Sequence, residues 1–354
     1  RGASPPGLED QLDGRQLAHE ARVRPPGGAE VDDVVRPREV QREHGREESD
    51  AHGPEAVGAK HGSKITCYTN LDEMLEDQAL HAVSICSYPY DHARHAIAAA
   101  KAGKHLIIEK PLALSLKDCR AIEQAVQKAK VKTCICFECR FSSQFQTIKA
   151  VIDRGLLGKL HYGEVDYYHG IGPWYGQFRW NTRKSAGGSS LLSAGCHAMD
   201  ALLLCLGTDV ESVTSYSTGS ANANFSKYEY ATTSVTILKY KDGQVGKCAS
   251  VIDCLQPYYF HTHLVGSEGS LLDNKFFSTR FGALDKHRWS ELSLKLVDSG
   301  DVADHPYQTQ FEAFFRALDR GQEMPLTSLN DAIKSHEIIF AADRSSREGR
   351  PVRL

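Results

Sequence analysis

Gly103-Lys104-His105-Leu106-Ile107-Ile108-Glu109-Lys110-Pro111 decides the fold of this chain. Gly103 follows the alanine-rich run Ala96 to Ala102 and suits a left-handed helix cap. Leu106-Ile107-Ile108 is the short apolar run of a strand covered on both faces of a parallel sheet. Glu109, Lys110 and Pro111 then stand where that strand leaves the sheet. In open α/β sheets, ligands bind beyond the carboxyl ends of the strands, so a lysine there is a candidate catalytic group. On a helix face the same lysine would be only a solvated charge.

Working outward, Leu71 to Leu80 reads as a short helix capped by Asn70 or Asp72, and His81 to Cys86 as a strand. Ser87 to Tyr90 is a loop, and Asp91 is placed to cap a helix running to Ala102. Ser115 caps an amphipathic helix through Lys128, and Lys132 to Phe137 is a further strand. This alternation implies a doubly wound parallel sheet. Its first strand–helix–strand unit, with the glycine fingerprint that holds a pyrophosphate, is missing; Gly27-Gly28 follows two prolines and no strand.

After Gln144 the pattern changes. Thr147 to Arg154 reads as a helix. Leu160–His169, Val210–Ser217, Ala231–Tyr240, Gln244–Ile252, Tyr259–Val265 and Leu292–Val297 read as strands, with Asp242-Gly243 a hairpin turn. Such a run implies a large, mainly antiparallel sheet open on one face. Helices over Gln308–Arg320 and Leu329–Arg347 close the chain. The domains expected are 60–145 for dinucleotide binding, 146–325 for substrate and oligomerisation, and 326–354 packing back on the body.

The chain has 354 residues and a net charge of −3, which gives no argument for nucleic acid or an anionic membrane as partner. No apolar run approaches the roughly 20 residues of a membrane span, and no signal-like apolar core opens the sequence. All ten cysteines lie from Cys67 onward, scattered among apparent elements, and read as reduced thiols of a cytoplasmic protein. Residues 1–59 contain no Ile, Phe, Tyr, Trp, Cys, Met, Asn, Thr or Lys. Two readings fit that segment: a natural low-complexity, poorly ordered extension, or a GC-rich gene read out of frame.

Glu109-Lys110-Pro111 after Ala-Gly-Lys-His, followed by Gly187-Gly188 and Ala194-Gly195-Cys196-His197-Ala198-Met199-Asp200, resembles the glucose–fructose oxidoreductase/inositol dehydrogenase (Gfo/Idh/MocA) family. The similarity runs from about residue 64 to the C-terminus, through Gly266-Ser267-Glu268-Gly269 and Gly349-Arg350-Pro351-Val352; residues 1–59 depart from it. The resemblance implies an α/β fold: a Rossmann domain, here incomplete, that binds NAD or NADP, and an α+β domain whose open sheet makes a dimer or tetramer. It implies hydride transfer to or from a sugar or cyclitol. Within the same resemblance stand a dinucleotide-responsive regulator without catalysis and an NAD-dependent glycoside hydrolase.

Oxidising a secondary alcohol needs a base for the hydroxyl proton and a cation for the developing alkoxide. Lys110 suits the second role, and could also hold the substrate hydroxyl. His197 is the candidate base: Ser189 to Leu206 reads as a buried helix, on which Ser193, His197 and Asp200 form a polar stripe. A core histidine bonded to a neighbour is the rival reading. The family often carries aspartate where this chain has Ser193; serine hydrogen-bonds but supplies no charge. Asp200 matches the family pattern and is expected to orient His197. By resemblance, Ser87, Tyr88, Pro89 and His92 border the cofactor, and Glu109 lies against the nicotinamide ribose. Glu138 and Arg140 follow the next strand and could reach the cofactor cleft, or form a surface ion pair. Trp174, Arg179, Trp180 and Asn181 suit sugar recognition, or tryptophan packing. No metal is expected: Cys134, Cys136 and Cys139 lack zinc spacing, and His261 and His263 read as exposed sheet decoration.

Overall fold

The computed structural model describes residues 66–170, 180–298 and 304–354. The segment 1–59, and Trp174 and Arg179, lie outside the described residues.

The first sheet has three parallel strands in the order β1 (Ala82–Ile85), β2 (His105–Ile108), β3 (Thr133–Ile135). Helix α1 (Leu71–Glu76) precedes it; Asn70 Oδ1 accepts from the amides of Asp72 and Glu73, so Asn70 is the cap, and the helix is shorter than the expected 71–80. Helix α2 (His92–Lys101) joins β1 to β2, and α3 (Leu116–Ala129) joins β2 to β3. Asp91 makes no side-chain cap bond to α2; its carboxylate pairs with Arg94 instead. Ser115 Oγ does cap α3, accepting from Asp118 N. Gly103 has φ +76°, the left-handed turn that releases α2 into β2. Strand β2 is covered on both sides. Leu106 and Ile108 enter the main core, whereas Ile107 packs with Cys134, Cys136, Phe314 and Met324.

Helix α4 (Ser143–Asp153) starts four residues before the expected Thr147, because Ser142 Oγ accepts from Phe145 N. The domain boundary expected at 145/146 therefore falls inside a helix. The second sheet has nine strands in the order β11-β10-β9-β8-β4-β7-β6-β5-β12. They are β4 (Leu160–Tyr168), β5 (Val210–Thr218), β6 (Thr233–Tyr240), β7 (Val245–Val251), β8 (Tyr259–Gly266), β9 (Gly269–Leu272), β10 (Lys275–Ser278), β11 (Ser290–Glu291) and β12 (Val352–Arg353). Only β4 and β7 pair parallel; every other ladder is antiparallel. The strand expected over Leu292–Val297 is absent. Its backbone amides bind side chains instead, Val297 N donating to Gln144 Oε1 and Lys295 N to Ser143 Oγ.

One face of this sheet packs on helix α5 (Cys196–Leu206), which a π-turn over Leu191–Gly195 precedes. Residues 184–206 are long and apolar enough to cross a membrane by length and composition, but 89% of the tested window is buried inside the molecule. Gly195 is where helix and sheet touch: a Cβ there would lie 2.4 Å from Ser250 Cβ. The other face carries Tyr216, Val235, Ile237 and Val245, all exposed. It also carries a half-buried polar cluster of Glu164, Lys247, His261 and His263, which corrects the reading of the histidines as exposed decoration. His261 Nδ1 faces Tyr259 OH at 2.9 Å and Asp273 Oδ1 at 3.3 Å.

Helices α6 (Tyr307–Asp319) and α7 (Leu329–Glu348) return to the first sheet. Gln310 donates to Ile135 O, and Thr327 O accepts from Ile135 N, so α6 belongs with β3 rather than with the 146–325 unit. A capping box of Ser328 and Asp331 starts α7, and Gly349 at φ +65° ends it.

Candidate active site

Parallel pairing brings the carboxyl ends of β1, β2 and β3 to one edge. The residues that follow them, Ser87, Glu109–Lys110 and Glu138, are gathered there by topology alone. Helix α5 supplies His197 to the same place. Lys110 Nζ donates to Ser193 O at 3.0 Å, tying the strand-end amine to the π-turn from which His197 emerges. The positive charge of Lys110 lies close enough to help depress the His197 pKa.

His197 is buried, and burial pushes its imidazole down to about 3, against the pull of Glu138. It is therefore a neutral ring able to accept a proton. Glu138 is fully buried. Burial alone would raise its carboxyl; the charge of His197 and His305 when those rings are protonated, with the His305 hydrogen bond, outweighs that and lowers it to about 2. Its Oε1 is 2.7 Å from His305 Nδ1 and 3.8 Å from His197 Nε2. Glu109 behaves oppositely. Burial, reinforced by Glu138, lifts its carboxyl to about 7, and Lys110 only partly offsets this.

Four buried polar atoms at this edge, Glu138 Oε2, Ser193 Oγ, His197 Nδ1 and His305 Nε2, have no hydrogen-bond partner among the described residues. Native interiors rarely leave such atoms unpaired.

Three expectations about Asp200, Arg140 and Glu138 are corrected. Asp200 does not orient His197. Arg140 grips its carboxylate twice, Nε to Oδ2 at 2.6 Å and Nη2 to Oδ1 at 2.8 Å, and Ser335 Oγ donates to Oδ1 at 2.7 Å. By the same contacts Arg140 is withdrawn from any cofactor; its third nitrogen donates to Leu326 O. Glu138 and Arg140 form no surface pair with each other: the first serves the imidazoles and the second serves Asp200.

The loop after β1 is braced from within. His92 lies 2.8 Å from Pro111 O and 2.9 Å from Ser87 O; the neutral ring that burial favours donates to one of these carbonyls, and His92 shapes the loop. Ser87 Oγ contacts His95 Nδ1 at 2.9 Å. Pro89 is buried, and Tyr88 meets Trp180 edge-on at 5.5 Å. That contact joins the expected cofactor loop to the expected substrate segment. Asn181 is buried beside it, its side-chain Nδ2 unpartnered among the described residues and its backbone carbonyl accepting from Tyr230 OH. His305 escaped sequence reading. It lies in a polar stretch before α6, and only the pairing Asp304-His305-Pro306 at a helix start hints at it. Cys139 lies with Glu138 and His197, and burial pushes its thiol well above the usual range.

Two family models match the chain. One is described as an oxidoreductase family with an NAD-binding Rossmann fold and covers residues 30–137; the other is the GFO/IDH/MocA C-terminal domain and covers residues 145–272. The first opens at residue 30, so the resemblance reaches into the segment that composition had set apart. The chain is 26% identical over 287 residues to a myo-inositol 2-dehydrogenase of Thermotoga maritima, covering 81% of this chain and 84% of that one. It is 27% identical over 289 residues to a scyllo-inositol 2-dehydrogenase (NAD(+)) of Bacillus subtilis, covering 80% of each. Among solved structures, a probable dehydrogenase from Thermotoga maritima superposes with a TM-score of 0.69 at 25% identity, covering 85% of this chain and 88% of that one. A levoglucosan dehydrogenase in complex with NADH and levoglucosan shares the fold, with a TM-score of 0.71 at 20% identity over 85% and 87% of the two chains.

Proposed function

Because the chain belongs to the Gfo/Idh/MocA oxidoreductase family, we propose that it transfers a hydride between a sugar or cyclitol hydroxyl carbon and a nicotinamide cofactor, NAD or NADP. The observation that carries this is the Lys110–Ser193 bond, which supports one cleft holding both the amine and the buried neutral imidazole. The unpaired polar atoms of Glu138, Ser193, His197 and His305 fit a polyol beside the nicotinamide end of a dinucleotide. Ser87, Tyr88 and Glu109 line the cofactor side, and Trp180 and Asn181 the substrate side. When bound, the nicotinamide supplies the hydride acceptor.

In the oxidising direction Lys110 holds the substrate hydroxyl and stabilises negative charge as it grows on oxygen. His197 takes the hydroxyl proton, and the carbon keeps its oxygen as a carbonyl. Lys110→Ala and His197→Ala are each expected to cut kcat about 10²-fold or more while circular dichroism stays that of the parent. The assay is reduction of NAD⁺ or NADP⁺ across a panel of inositols and aldoses. Rates near the parent in both variants would sink the assignment.

The chain is proposed to act as a homo-oligomer through the open sheet face. Tyr216 and Val235 pair across β5 and β6 there and leave a contiguous apolar surface exposed. Light scattering should return at least twice the chain mass; a monomer at micromolar concentration would exclude this. Ten unpaired thiols support a cytoplasmic setting.

A further inference from the structure

We infer that Glu138, anchored by His305, is the carboxylate partner that positions His197 and stabilises the imidazolium formed when it takes the hydroxyl proton; this rests on the function proposed above. The helix that carries His197 offers it no charge of its own. Ser193 is neutral, and the Asp200 carboxylate is consumed by Arg140 and Ser335. Glu138 arrives instead from the end of β3. Its side chain is 0% exposed, against 3% for His197 and 4% for His305. Among the described residues, Glu138 pairs with these two imidazoles and with no arginine or lysine. The 2.7 Å contact with His305 Nδ1 fixes Oε1, and Oε2 is left without a hydrogen bond. Placing a bare carboxylate in a dry interior is unfavourable unless a neighbour becomes positive. A ring 3.8 Å away that gains a proton during turnover meets that condition.

Other titratable groups around the pair come from every neighbouring element. Lys110 and Glu109 follow β2, Cys136 and Cys139 flank Glu138, Cys196 and Asp200 share α5 with His197, Tyr258 precedes β8, Asp304 adjoins His305, and Tyr307 starts α6. Lys110 opposes protonation of His197, and Glu138 favours it. Throughout the step Glu138 remains a carboxylate. The substrate O–H bond breaks, its proton goes to His197, and the hydride leaves carbon for nicotinamide as the carbonyl forms.

The test is Glu138→Gln in the full chain, with Glu138→Asp, His305→Asn and His197→Ala alongside. Glu138→Gln should lower kcat about 10- to 100-fold with KM changed far less, and its kcat should climb with pH where the parent is level, because hydroxide replaces a weakened base. Glu138→Asp keeps the charge and should recover most of the rate. His305→Asn frees the carboxylate and should fall between. In the cofactor-free protein, ¹⁵N-edited spectra should show a strongly deshielded His305 Nδ1–H that vanishes in Glu138→Gln, with the His197 ring signals shifting. Glu138→Gln within twofold of the parent kcat, at level pH dependence and with His197 signals unmoved, overturns the inference. If His197→Ala is inactive in that same series, only the role of Glu138 fails; if His197→Ala is as active as the parent, the base assignment itself fails. Should Glu138→Gln not fold, Glu138→Asp and His305→Asn at parent rates overturn it equally.

Discussion

Asp200→Asn separates catalysis from stability on helix α5. The structure gives Asp200 to Arg140, through contacts of 2.6 and 2.8 Å between side chains only 2% and 7% exposed, with Ser335 as a third partner. Two unit charges about 4 Å apart attract by roughly 4 kcal/mol at an effective dielectric of 20. Removing one member of such a buried pair strands the other charge, at a cost of about 3–5 kcal/mol. At about 2–4 °C per kcal/mol for a domain of this size, Tm should fall by roughly 6–20 °C. Thermal and urea unfolding followed by circular dichroism measure this. The turnover of folded protein should drop by less than about tenfold, because the base and its neighbours are untouched. The double variant Arg140→Met/Asp200→Leu, which removes both charges, should regain at least half of the lost stability. The reasoning is refuted if Asp200→Asn unfolds at the parent temperature, or if it loses 10²-fold in kcat with Tm unchanged, since Asp200 would then serve His197 after all.

Gly195→Ala should destabilise by about 1–3 kcal/mol and depress turnover, because its Cβ would strike Ser250 Cβ at 2.4 Å and push α5 off β7; adding Ser250→Gly should restore much of both, read by a double-mutant cycle. His336 is buried, donates from Nδ1 to Ala332 O, accepts at Nε2 from Leu112 N, and is pushed by burial to about 4 from an ordinary 6.5. Its folded-state pKa is the lower one, so the neutral ring's contribution is present above pH 6.5 and is lost as pH falls toward 4. His336→Gln cannot gain that proton, and its stability relative to the parent should improve by roughly 3 kcal/mol between pH 7 and pH 4. Urea midpoints at both pH values check this, and parallel pH curves for the two proteins would contradict it.

The first sheet was legible because β2 carries an uninterrupted apolar run ending in charge, and a parallel sheet covered on both faces demands that pattern. Lys110 and His197 were legible for related reasons: one ends a buried strand, and the other interrupts an apolar helix. The partners of those residues were not. Glu138 and Arg140 stand two residues apart in the tight turn Glu138–Phe141, where side chains diverge, and no periodicity says which one faces the histidine. Sequence spacing put Asp200 on the histidine stripe, but a carboxylate goes to the strongest donor within reach, and that was a guanidinium from another element. The short strands β9 to β12 carry too few residues to show alternation. The stretch Leu292–Val297 alternates well enough, yet its amides are satisfied by Gln144 and Ser143 side chains, a choice that only tertiary contact decides.

Helix α5 is held from both directions by the first sheet. Lys110 grips the backbone at Ser193, before the helix begins, and Arg140 grips Asp200 one turn after His197. These two clamps come from the ends of adjacent strands, so the imidazole sits between fixed points set by one sheet edge. The charge on each clamp has a different fate. That of Arg140 is cancelled by Asp200 and can only position, whereas Lys110 donates to the neutral backbone carbonyl of Ser193. An acidic residue at position 193 would add a further buried anion beside Lys110, next to Glu109.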